Sequence, residues 1–97
     1  MAPIIEVTCR FFEGLLAGEH RRFLGVRYGY NRETVTRARI GYAPLSETAL
    51  LLHLMDRGFS GEEIRQSGLF TAGDHIRPLW RGRIMFPWGA EIRAVAC

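Results

Sequence analysis

Residues 32–44 read RETVTRARIGYAP, and within this stretch the sequence changes from a helical to an extended pattern. Asn31, directly before it, can cap a helix because its side-chain oxygen can accept a backbone N–H of the first turn. Glu33 lies in that turn, where the helix dipole favours an acid. Ile-Gly-Tyr-Ala at residues 40–43 is typical of a short strand, which Pro44 ends. The stretch therefore predicts a short helix over residues 32–38 that leads into a strand.

Two further helices are predicted before this stretch. Apolar residues recur at helical spacing from Ile4 to Leu16, and Pro3 precedes them at a position that tolerates proline. A second short helix covers residues 19–27 and ends at the Tyr-Gly-Tyr turn of residues 28–30.

Two helices are also predicted after it. Ser46 can cap a helix over residues 48–55, which is apolar on most sides and is therefore expected at the centre of the core. Ser60 and Glu63 fit a capping box that begins the last helix, and Gly68 closes that helix. Met55 and Met85 are expected to fill the core.

The pattern becomes strand-like beyond residue 68. Short strands are predicted over residues 69–71, 75–77, 83–86 and 91–95, separated by turns that contain glycine. The predicted fold class is α+β, with helices in the first two-thirds followed by a small, mainly antiparallel sheet.

Composition limits the class of protein. The 97 residues suit a single domain over residues 1–97, and 47% hydrophobic with 24% charged residues argue against disorder. The longest apolar run, residues 48–55, is much shorter than the roughly 20 residues of a membrane span. An acid at Glu6 argues against an export signal, and Cys9 and Cys97 are too few for a disulfide framework. We therefore expect a cytoplasmic protein with no membrane partner.

All thirteen basic residues are arginine, and the formal net charge is +3. Arginine presents a planar fork that binds phosphate and stacks on aromatic rings, so a phosphate-rich partner is one explanation. The base composition of the genome is the other.

Two motifs carry a resemblance to a known family. Residues 32–44 resemble the segment of bacterial DnaG-type DNA primases in which a short helix ends in an Arg-Phe pair and runs into Gly-Tyr-Ala-Pro, with Arg37 at that arginine. Residues 80–87, WRGRIMFP, are similar to the family's Phe-Arg-x-Arg-Ile/Val-Met-Phe-Pro. Residues 10–16, 23–27 and 54–69 also match, so the resemblance covers nearly the whole chain.

The resemblance implies the amino-terminal subdomain of the primase catalytic core, the region that precedes the Toprim domain. We expect neither the zinc-binding nor the Toprim domain of that family within these residues, in which Asp56 and Asp74 are the only aspartates. We therefore expect no catalytic residue, no metal ligand and no cofactor in this chain. Magnesium is expected only in the missing Toprim domain. The chain departs from the family at Pro78-Leu79, where Asp-Arg is usual.

Four residues are candidates for nucleic-acid binding. If residues 81–83 are extended, Arg81 and Arg83 lie on one face and form a fork for phosphate, and Trp80 beside them can stack on a base. Arg37 is the third arginine of this track. The resemblance favours these roles. The alternatives are a core tryptophan with solvated arginines, and, for Arg37 and Arg39, cations favoured by the end of a helix.

Two functions remain open at this stage. The first is the single-stranded DNA template-binding part of a DNA primase, which makes RNA primers in DNA replication as a DNA-directed RNA polymerase, although this piece should be inactive alone. A Toprim domain or a replicative helicase are then further partners. The second is a free-standing primase-like adaptor that contacts nucleic acid or a replication protein.

The histidines and two glycines have structural explanations. His53, inside the apolar helix, is expected as a hydrogen-bonded core residue, and His20 and His75 have no partner at ligand spacing. Gly41 predicts a close approach of the backbone, and Gly58 predicts the end of a helix.

Overall fold

The computed structural model describes residues 3–71, 76–88 and 91–96. Within these residues the chain forms five helices and three strands. In chain order they are α1 (Pro3–Leu15), α2 (Gly18–Tyr28), α3 (Arg32–Arg37), β1 (Gly41–Ala43), α4 (Ala49–Asp56), α5 (Gly61–Gln66), β2 (Arg83–Trp88) and β3 (Glu91–Ala96).

The sheet has the strand order β1-β2-β3, and both pairings are antiparallel. Gly41 lies opposite Met85 and Ala43 opposite Arg83, while the β2–β3 register shifts between Ile84 and Met85. The α+β prediction is therefore confirmed, with one strand, β1, inserted among the helices.

The strand predicted over residues 69–71 is wrong. Phe70 forms only an isolated bridge with Pro78, flanked by hydrogen bonds from Thr71 N to Arg77 O (2.8 Å) and from Leu79 N to Leu69 O (3.0 Å). Proline has no N–H to donate, so the pairing cannot continue as a regular ladder at Pro78. The predicted strand over 75–77 forms no element at 76–77, and residue 75 lies outside the described residues.

Both faces of the sheet are covered. Successive strand residues point to opposite faces, so Met85 enters one apolar cluster and Ile84 the other. The main core lies on the face that α1, α4 and α5 cover, and consists of Ile5, Cys9, Phe12, Ala43, Leu50, Leu54, Ile64, Leu69, Phe70 and Met85. The second core lies on the face that α2 and α3 cover, and consists of Leu16, Leu24, Val35, Ile40 and Ile84.

Helix α4 is less central than its sequence predicts. Leu50 and Leu54 are buried, but Leu52 is 60% and Met55 56% exposed. A helix with 3.6 residues per turn presents one face to its neighbours, and α4 packs on α1 and α5 with that face only. The prediction of a core role is thus wrong for Met55 and confirmed for Met85, which is 1% exposed.

His53 is not the hydrogen-bonded core residue that its position on α4 predicts. It is half-buried, outside both cores, and its ring stacks on Phe11 with 4.3 Å between the centroids. His53 lies at the rim of α4, beside α1, and lines a groove between these two helices.

Caps define the helix ends as predicted. Asn31 Oδ1 accepts Thr34 N (2.8 Å) at the start of α3. Ser60 Oγ accepts Glu63 N (3.1 Å), while Ser60 N donates to Glu63 Oε1 (3.0 Å). The bond from Ser60 N, with the Ser60 side chain as the smaller cause, favours the carboxylate form and lowers the pKa of Glu63. At α4 the cap position is Thr48, which makes no side-chain cap bond, and not the predicted Ser46, although Ser46 Oγ accepts Ala49 N (3.1 Å). Gly58, at φ 91°, follows the end of α4.

The packing of α1 on β1 depends on Gly41. A Cβ atom at this position would lie 2.5 Å from Phe12 C, 2.6 Å from Phe12 Cβ and 2.7 Å from Glu13 N. No side chain can be accommodated at such distances from a helix backbone. The predicted close approach is therefore confirmed, and it brings β1 directly under α1.

We expect Gly41→Ala to lower the free energy of unfolding by about 3 kcal/mol or more, because the methyl group must push α1 off the sheet. Urea unfolding measures this. Gly14→Ala is the matched control: nothing lies within 4 Å of its Cβ position on α1, and helix propensity predicts a gain of about 0.5–1 kcal/mol. Equal effects at the two glycines would contradict the packing argument.

Candidate nucleic-acid interface

Arg81 and Arg83 lie where the chain enters β2, but not as the sequence predicts. Gly82 between them has φ 63°, in the left-handed region, and its N–H donates to Ala43 O (2.8 Å). Arg81 is therefore outside the strand, and the alternation that would put both side chains on one face does not apply. Glycine suits this position, because a positive φ disfavours other residues and a Cβ atom here would lie 2.6 Å from Leu45 Cδ2.

The two arginines are both accessible. Arg83 is the first residue of β2, lies opposite Ala43 and is exposed. Arg81 Nη1 donates to Glu47 Oε1 (2.9 Å), and the two side chains are 48% and 49% exposed. The sheet backbone therefore holds two guanidinium groups within three residues, at the end of the β1–β2 pair.

Trp80 packs against the main core and is half-buried. This agrees with the alternative of a core tryptophan. Base stacking by Trp80 stays a prediction, and it would use only the part of the ring that the core leaves uncovered.

Arg37 is the last residue of α3 and is highly exposed. It forms an ion pair with Glu33, one turn earlier on the same helix. It precedes β1, whereas Arg83 lies opposite the last residue of β1. The structure thus places Arg37 apart from the Arg81 ion pair, on the α3 side of the sheet.

Arg39 has a role that its sequence position does not reveal. It has φ 59° and directs its guanidinium to two acids on α1: Glu6, at 2.6 and 2.9 Å, and Glu13, at 2.9 and 3.2 Å. The bonds from Arg39 to Glu6, with one from Arg10, lower the pKa of Glu6 to about 2. They also raise the pKa of Arg39. The spacing of the two glutamates along one face of α1 is the signal that sequence analysis missed.

His20 is a structural residue as well. Its Nδ1 accepts Ala17 N (2.9 Å) at the start of α2, and its ring stacks on Tyr42 of β1 with 3.9 Å between the centroids. His75 lies outside the described residues. Within the part of the chain that the structure describes, no three His, Cys, Asp or Glu side chains are grouped so as to hold a metal ion.

A groove of about 490 Å³ lies between α1 and α4. The Phe11–His53 stack forms part of its wall, and Arg10 and Arg57 are its basic residues. None of the four predicted site residues lines it.

Comparison with known proteins gives the class of this domain. A family model for the DNA primase catalytic core, N-terminal domain, matches residues 11–96. The chain therefore belongs to this family, and the resemblance found in the sequence is confirmed.

Solved structures agree in fold. The RNA polymerase domain of Mycobacterium tuberculosis primase DnaG, in complex with a double-stranded DNA oligomer with a 6-nucleotide overhang, matches with a TM-score of 0.76 and 23% identity, over 87% of this chain and 27% of that one. A DnaG primase catalytic domain bound to ssDNA matches with a TM-score of 0.70 and 25% identity, over 87% and 27%. The chain thus spans little more than a quarter of these proteins.

No curated protein sequence matches the chain. Among the described residues, no helix combines the length and the apolar character that crossing a membrane requires.

The Glu6–Arg39 contact predicts an acid-dependent stability. The pKa of Glu6 is lowered from 4.5 to about 2 in the folded chain, so its stabilisation is complete above pH 4.5 and is lost as the pH falls toward 2. We expect the parent to melt above Glu6→Gln at pH 7 and the two melting temperatures to converge toward pH 2. Thermal unfolding across this range measures it, and a constant difference between the two would contradict it.

Proposed function

We propose that this domain forms one wall of the template groove of a DNA primase and binds single-stranded DNA through phosphate contacts from Arg81, Arg83 and Arg37. The observation that carries the proposal is the pair of exposed guanidinium groups held by the sheet backbone at the start of β2, in a chain of this family. A relative of the same fold has been solved bound to ssDNA.

The existing ion pairs do not prevent phosphate binding. Arg37 and Glu33 are 76% and 74% exposed, and the Arg81–Glu47 pair is half exposed. Exposed ion pairs are worth about 0–1 kcal/mol, so a phosphate can replace the carboxylate at small cost. Arginine suits this exchange because its fork matches phosphate geometry.

Catalysis in this proposal belongs to another part of the primase. Primer synthesis would need magnesium, which we assign to the Toprim domain, and the present residues would position the template strand. A Toprim domain and a replicative helicase are the protein partners of this proposal, with the cytoplasm as its location. Pure chain incubated with nucleotides and magnesium or manganese should therefore synthesise no primer.

The proposal predicts the salt dependence of binding. Each phosphate contact to single-stranded DNA adds about −0.7 to the slope of log affinity against log salt, so the three contacts of Arg81, Arg83 and Arg37 contribute about −2 to that slope. Arg81→Ala with Arg83→Ala should reduce that slope by about 1.4 and leave the melting temperature nearly unchanged. Fluorescence anisotropy with a labelled oligonucleotide measures the slope.

A control with the same change of charge separates local from general effects. Arg57→Ala with Arg65→Ala removes two arginines from the end of α4 and from α5, away from β2, and should leave the slope nearly unchanged. If the Arg81/Arg83 double variant bound single-stranded DNA as tightly as the parent, the adaptor function would replace the proposed one.

A change at Glu47 is expected to tighten DNA binding, whereas the arginine changes weaken it. Glu47→Gln removes the carboxylate that competes with phosphate for Arg81, so binding of single-stranded DNA should tighten about two- to fivefold, as expected for an exposed ion pair. Glu62→Gln is the matched control, because it removes an equal charge on α5, where Glu62 contacts only Gln66 among the described side chains. Equal gains for the two variants would mean that only net charge matters.

A further inference from the structure

Three exposed aromatic side chains meet at the corner between α2 and α3. Phe23, Tyr28 and Tyr30 are 37%, 42% and 37% exposed. The rings of Tyr28 and Tyr30 stack with 5.4 Å between centroids, and Phe23 meets Tyr28 edge-on at 6.3 Å. We call these three residues the aromatic ridge. Neither core cluster contains any of them, so the fold alone does not require these rings.

The ridge is surrounded by positive charge. Residues 20–32 contain four arginines and no acid. Among the described residues, the side chains of Arg22, Arg27 and Arg32 form no ion pair or hydrogen bond, and all three are exposed. Arg37, Arg39 and Arg81, by contrast, are each paired with a glutamate. The ridge therefore combines π surfaces with cations that are free to bind a ligand.

The backbone under the ridge is rigidly built. Gly29 ends α2 with φ 72°, and its N–H donates to Gly25 O (2.9 Å), while Tyr30 N donates to Leu24 O (3.3 Å). The cap of Asn31 on Thr34 then begins α3. Tyr28 and Tyr30 thus face solvent in a fixed turn, which lowers the entropy that a ligand must overcome.

The shape of this corner indicates an extended ligand rather than a small molecule. A recess of about 140 Å³ lies next to Tyr30. Small-molecule sites usually enclose about 300–1,000 Å³. Exposed aromatic rings interleaved with arginines instead match the stacking platforms that bind single-stranded nucleic acid with little sequence preference.

We propose that the aromatic ridge is a second contact for single-stranded DNA, in which bases stack on Tyr28 and Tyr30 while Arg27 and Arg32 bind the adjoining phosphates. The inference rests on the proposed function, because it continues the path of the same DNA strand beyond Arg37. Helix α3 has 6 residues and is therefore about 9 Å long. A single DNA strand with stacked bases covers this length with two to three nucleotides, at about 3.4 Å each.

The test compares two oligonucleotides, each about twelve nucleotides long. One consists of thymidine. The other consists of abasic sites, so it has the same phosphates but no bases. The parent should bind the thymidine strand about 5- to 100-fold more tightly for each stacked base. Tyr28→Ala with Tyr30→Ala should lower this preference by that factor for each base that stacks on the two tyrosines, and leave the salt slope unchanged. Tyr28→Phe with Tyr30→Phe should retain the preference, because phenylalanine keeps the ring.

The outcomes separate this inference from the proposed function. The Arg81/Arg83 double variant should bind with a smaller salt slope and keep the parent's preference for bases. The Tyr28/Tyr30 alanine variant should keep the parent's salt slope and lose preference for bases. Equal binding of the two strands by the parent would overturn the inference and assign the ridge to a protein partner. A full preference for bases in the alanine variant would also overturn it, whatever the arginine variants do.

Discussion

The contact between the β1 backbone and α1 at Gly41 is the constraint on which the rest of this domain depends. A strand lies this close to a helix only where its residue has no side chain, and the distances of 2.5–2.7 Å to Phe12 and Glu13 leave room for no other amino acid. Arg39, two residues earlier, joins the same helix through Glu6 and Glu13. Strand β1 is thereby fixed, and β2, which carries the candidate phosphate-binding arginines, pairs with it.

This arrangement separates the rigid part of the site from its adaptable part. The backbone at Gly82 is held by its bond to Ala43. Arg81 and Arg83 are exposed residues on that backbone, and Arg81 pairs with Glu47 through an exposed ion pair. A protein that binds DNA of varying sequence needs such a surface, because the phosphates recur at regular intervals while the bases differ.

Sequence could predict what depends on local chemistry. The caps at Asn31 and Ser60 require only neighbouring residues, so they were predictable, as was the glycine at 41 from its short strand. The orientation of Arg81 was not, because alternation assumes a regular strand, whereas Gly82 adopts φ 63° and bonds to Ala43, a residue distant in sequence. Similarly, the exposure of Met55 and the pairing of Arg39 with α1 depend on how helices pack, which periodicity alone does not fix.

The uniform use of arginine conceals three different electrostatic situations. Arg39 is held by two partly exposed glutamates and serves the fold. Arg37 and Arg81 have exposed glutamate partners that a phosphate can replace. Arg22, Arg27 and Arg32 have no partner among the described residues and lie near the aromatic ridge. The net charge of +3 is small, but residues 20–32 contain four arginines and no acid, so positive charge is dense along the α2–α3 corner. A negatively charged strand would therefore approach that corner first and reach the arginines of β2 by way of α3.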